Sequence, residues 1–133
     1  VIAIAGVIAM VCFTALIVLE PSLQLGSVTN NLTTDLRYAQ QMAVTEQVNY
    51  GVGFFVADKK YQIVRYGTST DQIVEKFLPD KIYFAEILGF TDQEVIFNPY
   101  GAVQETGTIS LANEQGKEKH IDVRPSGFVK VSD

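Results

Sequence analysis

An α+β fold, in which a long N-terminal transmembrane helix packs on an antiparallel β-sheet or β-sandwich head, follows from three observations. Residues Val1 to Leu19 carry no charge and no strongly polar group beyond Thr14 before Glu20 and Pro21 end the run. A helical stripe of apolar residues follows. From Val48 onward, short runs rich in Val, Ile, Phe and Tyr alternate with turn signals. The division expected is a membrane helix at 1–20, an amphipathic helix at 21–47 that continues into the head, and a β-rich globular head at 48–133. Within 133 residues this leaves room for one modest core.

The first segment sets the organisation. Eleven of its nineteen residues are Val1, Ile2, Ile4, Val7, Ile8, Val11, Phe13, Leu16, Ile17, Val18 and Leu19. A helix of this length reaches roughly 28 Å, close to the hydrocarbon thickness of a bilayer. These side chains favour insertion by roughly 3 to 7 kcal/mol in total. The remaining chain is too small to wrap a helix apolar on all faces, which argues against a buried core helix. A secretory signal would need a basic start and a small-residue cleavage site, and neither is present. The first basic residue after the span is Arg37, whereas Glu20 and Asp35 lie closer, so the head is expected on the extracytoplasmic side. A chain that begins at Val is expected to be a processed or trimmed product.

Past Glu20, Pro21, Ser22, Gly26 and Ser27 are poor helix formers, and Pro21 has no N–H to give the carbonyl of Ile17. The expectation is a break or kink centred on Pro21 and Gly26. Val28, Leu32, Leu36, Ala39 and Ala43 then recur at steps of three and four, with Asn31, Thr34, Arg37, Gln41 and Thr45 around the rest of the cylinder. This helix buries one stripe. Val48 to Val56 and Tyr61 to Tyr66 form a hairpin across Ala57-Asp58-Lys59-Lys60, and Gly51 and Gly53 are expected to leave room for the helix beneath. Thr68 to Glu75 is polar and reads as a loop. Strands are expected at Lys81 to Ile87, Glu94 to Asn98, Thr108 to Ala112, Lys119 to Arg124 and Phe128 to Val131, about seven in all. Asn98-Pro99-Tyr100-Gly101 suits a type I turn.

Composition narrows the function. Ten Lys and Arg against fifteen Asp and Glu give a net charge of −5, which disfavours a polyanionic partner unless basic residues gather on one face. The one cysteine, Cys12, lies in the apolar run, so the head has no disulfide or thiol nucleophile. His120, the one histidine, falls opposite Ile121 and Val123 on a strand, as a solvated residue without an orienting partner. No acid, base and nucleophile converge, no calcium-loop spacing or phosphate loop occurs, and no metal ligands pair. No catalytic, cofactor or metal residue is assigned, and an enzyme is not expected. Lys117, Lys119, Arg124 and Lys130 form a mixed-charge edge diluted by Glu118, Asp122 and Asp133.

An apolar N-terminal helix followed by Leu32-x-x-Asp35-Leu36-Arg37-x-Ala39-x-x-x-Ala43 resembles the helix of type IV pilins and, more closely, of the GspH/FimT pseudopilin family. Phe97-x-Pro99-x-Gly101, Gly107, Ile109-x-Leu111, Ile121-x-Val123 and Gly127-x-Val129-x-Val131 resemble that family's C-terminal strands. The resemblance covers nearly the whole chain. It implies a pilin-like lollipop that assembles helix-inward into a filament, as a pilin or pseudopilin of a type IV pilus or a type II secretion-like system. The implied partners are other copies or related pilin subunits, inner-membrane assembly machinery, and membrane lipid before assembly. The implied locations are the inner membrane and then an extracellular or periplasmic filament. The family's leader-peptidase site, Gly followed by Phe-Thr-Leu-x-Glu, is not in this sequence, although Val1-Ile2-Ala3-Ile4-Ala5 looks like the residues just after that Glu. The alternative role is a minor pilin acting as a surface receptor for DNA or another ligand. DNA-uptake members of the FimT branch carry Gly-Arg-x-Arg, whereas here Gly127-Phe128-Val129-Lys130 has Phe in place of the first Arg, leaving Arg124 and Lys130 as candidate DNA contacts.

Overall fold

The computed structural model describes the backbone of residues 2–133 and the side chains from Leu23 onward. The side chains of the anchor positions Val1, Ile2, Ile4, Val7, Ile8, Val11, Phe13, Leu16, Ile17, Val18 and Leu19, and that of Pro21, therefore lie outside the described residues. Helix α1 spans Ile2–Glu46. Among the residues whose side chains are described no helix is long and apolar enough to cross a membrane, and the run on which a span was expected lies before them in the chain.

Eight strands follow in two antiparallel sheets. The first contains β1 (Asn49–Phe55), β2 (Lys60–Tyr66), β3 (Thr70–Phe77) and β5 (Glu94–Phe97), in the order β3-β2-β1-β5. The second contains β4 (Ile82–Leu88), β6 (Gly107–Asn113), β7 (Glu118–Val123) and β8 (Val129–Ser132), in the order β4-β6-β7-β8. One core joins a face of α1 to both sheets: Leu25, Leu32, Leu36, Ala39 and Ala43 bury with Val52, Phe97, Ile109, Leu111 and Ile121. Phe54 of β1 meets Phe84 of β4 edge-on, with ring centroids 5.5 Å apart, which stitches the sheets together. The expected helix stripe holds, since Leu32, Leu36, Ala39 and Ala43 are fully buried while Asn31, Thr34, Arg37, Gln41 and Thr45 are exposed.

Three expectations need correction. First, the helix does not break at Gly26, which lies inside α1 with the Lys119 Cε 4.0 Å from where a Cβ would sit. Leu25 and Thr29 on either side are buried, so packing against the head outweighs the poor local propensity. The Thr29 hydroxyl donates to the Leu25 carbonyl at 2.7 Å and that of Thr33 to the Thr29 carbonyl at 2.8 Å, which satisfies both buried hydroxyls inside the helix.

Second, the polar stretch Thr68 to Glu75 is no loop over most of its length. β3 runs from Thr70 and pairs with β2 in a register that includes Ile63 opposite Val74 and Lys60 opposite Phe77. It lies at a sheet edge and nearly all its side chains face solvent, so no apolar alternation marks it.

Third, Gly51 and Gly53 do not face the helix. Tyr50, Val52 and Phe54 point to the core, and alternation sends the glycines outward. A Cβ on Gly51 would lie 3.0 Å from the Tyr66 ring, which crosses the glycine so that its hydroxyl can donate to Glu94 of β5. The glycine makes room for a side-chain bridge across the sheet.

Candidate interaction surface

The outer half of α1 and two distant turns build a groove. The turn at residues 98–101 closes with the Gly101 N–H donating to the Asn98 carbonyl at 2.8 Å. The Asn98 side-chain oxygen accepts from the Tyr100 and Ala102 N–H groups at 2.9 and 3.1 Å. This locks the turn and leaves Tyr100 92 % exposed. The turn at residues 124–127 closes the same way, through the Gly127 N–H to the Arg124 carbonyl at 2.8 Å, and leaves Phe128 56 % exposed.

The two turns meet against the helix at Gln40. The Gln40 Nε2 donates to the Gly101 carbonyl at 2.8 Å. Gly127 has φ +84, and a Cβ there would lie 2.0 Å from the Gly101 carbonyl oxygen and 2.5 Å from the Gln40 Nε2. Glycine is thus required twice over, for its backbone conformation and for the close approach. Gly101, with φ +83, would likewise press a Cβ to 3.1 Å from the Val44 Cγ2. Of the spaced glycines that carried the resemblance in sequence, Gly101 and Gly127 are the points at which the two turns dock on the helix, whereas Gly107 packs against Leu88 and Phe90.

Arg37, Gln40, Gln41, Val44, Thr45, Tyr100 and Phe128 line the resulting hollow of about 600 Å³. Arg37 is the charged residue of that lining, and its Nη2 lies 3.5 Å from the Val129 carbonyl. Two exposed aromatic rings beside an arginine and amide side chains suit a protein contact that combines apolar burial with hydrogen bonding. Sequence reasoning missed Tyr100 and Phe128 as a pair. The available signal was an aromatic residue beside the glycine of each turn.

Two further clusters hold the helix to the first sheet. The Tyr61 hydroxyl donates to the Asp35 Oδ2 at 2.5 Å, and the Lys76 Nζ donates to the same oxygen at 2.9 Å. Burial and the Asp35 carboxylate push the Tyr61 phenol well above its usual range. At the end of α1, the Glu46 Oε2 accepts from the Tyr50 hydroxyl and from the Arg65 Nε, both at 2.6 Å. Burial first and Glu46 second push Tyr50 up to about 12, while the Tyr50 and Arg65 hydrogen bonds hold Glu46 below the usual carboxylate range.

The candidate DNA residues sit near the second turn. Arg124 starts it, exposed, with its N–H donating to the Phe128 carbonyl at 2.9 Å; Lys130 is exposed on β8 opposite Asp122. Neither lines the groove. His120 lies on the face opposite Ile121, but it has a partner that the sequence did not reveal: its Nδ1 is 2.7 Å from the Ser110 Oγ, its cross-strand neighbour. Thr108 and Asp122 pair likewise at 2.8 Å, so both contacts belong to a polar ladder across β6 and β7. Among the described residues no three His, Cys, Asp or Glu side chains gather into a metal site.

A profile of the family described as "Type II transport protein GspH" matches residues 28–127. Among solved structures, the chain is similar to the minor pseudopilin EpsH from the type 2 secretion system of Vibrio cholerae, with TM-score 0.71 and 11 % identity over 82 % of this chain and 96 % of that one. It is also similar to the type IV minor pilin FimU of Pseudomonas aeruginosa strain PAO1, with TM-score 0.66 and 14 % identity over 84 % and 90 % of the two chains. At such identities these likenesses speak for the fold, a helix packed on antiparallel sheets in the pilin manner. No curated protein sequence matches.

Proposed function

The chain belongs to the GspH family of type II transport proteins, and from that premise we propose that it assembles through its N-terminal apolar helix into a type IV pilus or a type II secretion-like filament. The family assigns it the role of a structural pilin or pseudopilin subunit, whose partners are other pilin subunits. The observation that carries the helix-inward reading is the division of labour along α1. The helix spans 45 residues, and among the described residues its positions buried in the head fall between Leu25 and Ala43; the uncharged run Val1 to Leu19 precedes them in sequence.

An apolar helix can wait in a bilayer and pass into a filament core without facing water, because both surroundings are dry. Before assembly the subunit would sit in the inner membrane among lipid and assembly machinery, with its head on the extracytoplasmic side. In this reading 1–20 is the anchor and 21–133 the folded remainder, and its role is architectural rather than enzymatic. An interruption near Pro21 belongs to the assembled form, where neighbouring subunits could take over freed carbonyls.

The test is electron microscopy of the full chain expressed with its assembly machinery, beside a variant lacking Val1 to Leu19. The intact chain should enter ordered filaments and the truncated one should stay soluble and folded. Equal incorporation of both would overturn assembly through the helix. No observation raises the DNA-receptor alternative above this reading, since Arg37, not Arg124 or Lys130, is the charge in the groove.

A further inference from the structure

Two exposed apolar hollows on the head differ in charge and in height along α1. The upper one is the groove of Val44, Tyr100 and Phe128, whose charged lining residue is Arg37. The lower one lies where β1 ends. There Phe55 and Val56, 40 % and 38 % exposed, line a hollow of about 520 Å³ whose charged residues are Asp58 and Asp92.

Phe77 of β3, 68 % exposed, extends this lower surface, because Lys60 lies opposite both Phe55 and Phe77 in the sheet. The Lys60 Nζ sits 5.2 and 5.8 Å from the centroids of the two rings and pairs with Glu75 at 2.9 Å. The Lys59 Nζ donates to the Asp80 carbonyl at 2.7 Å. Both neighbouring lysines are therefore engaged within the head, and the acid side chains set the character of the hollow. Phe77 also borders Val28 and Asn31 of α1, whereas the upper groove begins at Arg37 and reaches Thr45. Ten residues of helix from Asn31 to Gln41 correspond to about 15 Å along the axis.

We propose that the lower acidic-aromatic surface of one subunit docks into the upper Arg37 groove of a second copy displaced along the helix direction. Phe55, Phe77 and Val56 would cover Tyr100 and Phe128, and Asp58 and Asp92 would face Arg37. The two surfaces differ in charge, so neither suits its own image, and two copies with parallel helices and one displaced along them are not related by a two-fold axis across those helices. Each copy keeps one surface of each kind open, so the contact is head-to-tail and repeats without closing. The displacement along α1 lets both helices run parallel, as a filament built on them requires. This inference rests on the filament reading above.

The test uses full-length chain with Cys12→Ser, mixing copies that carry Val56→Cys with copies that carry Tyr100→Cys in membranes with the assembly machinery. Oxidation should join one copy of each kind, and neither variant alone should cross-link. Arg37→Glu in the Tyr100→Cys copy should lower the yield at least fivefold, and Asp58→Lys in the Val56→Cys copy should restore it. Microscopy of the same samples separates the two readings. Filaments without the cross-link, a yield indifferent to both charge reversals, or a bond to some other subunit would overturn the docking and leave the filament standing. Absence of filaments and of the cross-link would remove both.

Discussion

Strands β6 and β3 are nearly equal in length and opposite in character. Five consecutive residues of β6, from Ile109 to Asn113, are buried, and the strand pairs with β4 on one side and β7 on the other. In β3 only Val74 is even half-buried, and the strand pairs with β2 alone. β6 is a strand because its side chains leave water; β3 is a strand because its backbone completes the ladder of β2. The first cause contributes about 25 cal/mol per Å² of apolar surface, whereas a backbone hydrogen bond adds only about 1 kcal/mol net. The two strands should therefore differ in stability as well as in exposure.

Truncation gives the largest contrast. Leu111→Ala in β6 should cost about 2 to 5 kcal/mol, and Ile73→Ala in β3 less than about 0.5 kcal/mol. Urea melts of the two variants would measure this, and similar losses would show that β3 contributes to the core after all. Asp35→Asn comes next, because it leaves the Tyr61 hydroxyl and the Lys76 ammonium with a weaker partner where the helix meets β2 and β3. About 1 to 3 kcal/mol should be lost. The same variant should speed hydrogen exchange in β3 more than in β6, which reads the difference between the strands directly.

A smaller effect tests the outer face of the first sheet. Gly51→Ala puts a methyl group against the Tyr66 ring and the end of the Glu94 side chain, so it should displace the bridge between them. The cost should be about 1 kcal/mol, against almost none for Gly53→Ala, whose Cβ would meet only the edge of Phe55 at 4.0 Å. Were the glycines under the helix, the two variants would be comparably damaging.

The least effect is in pH. Tyr50 and Tyr61 have phenol pKa values raised on folding, so the neutral form is favoured in the native state. Their contribution is fully present below pH of about 10 and is lost as pH rises from there through about 12 for Tyr50. Thermal melts of Tyr61→Phe should fall less steeply than those of the parent above pH of about 10. An unchanged alkaline slope would show that the Asp35 cluster does not hold that phenol neutral.

The amino-acid sequence by itself determined the parts whose cause is local or periodic. Leu32, Leu36, Ala39 and Ala43 repeat at the helical period, so their burial was legible before any partner was known. The Asn98 to Gly101 turn and most of the strands of both sheets announced themselves through turn chemistry and runs of Val, Ile and Phe. The tertiary structure decided what depends on neighbours distant in sequence. Helix α1 continues through Gly26 because the head packs against Leu25 and Thr29. Thr70 to Phe77 extends because β2 offers it a free edge. Gly51 faces outward because the core takes Tyr50 and Val52 on either side of it, and Tyr66 then crosses the space it leaves. The groove of Tyr100 and Phe128 exists because Gly127 lets two turns that are twenty-six residues apart touch at Gln40. Propensity and periodicity are properties of a segment, whereas each of these outcomes is set by a close contact between segments, which no local pattern encodes.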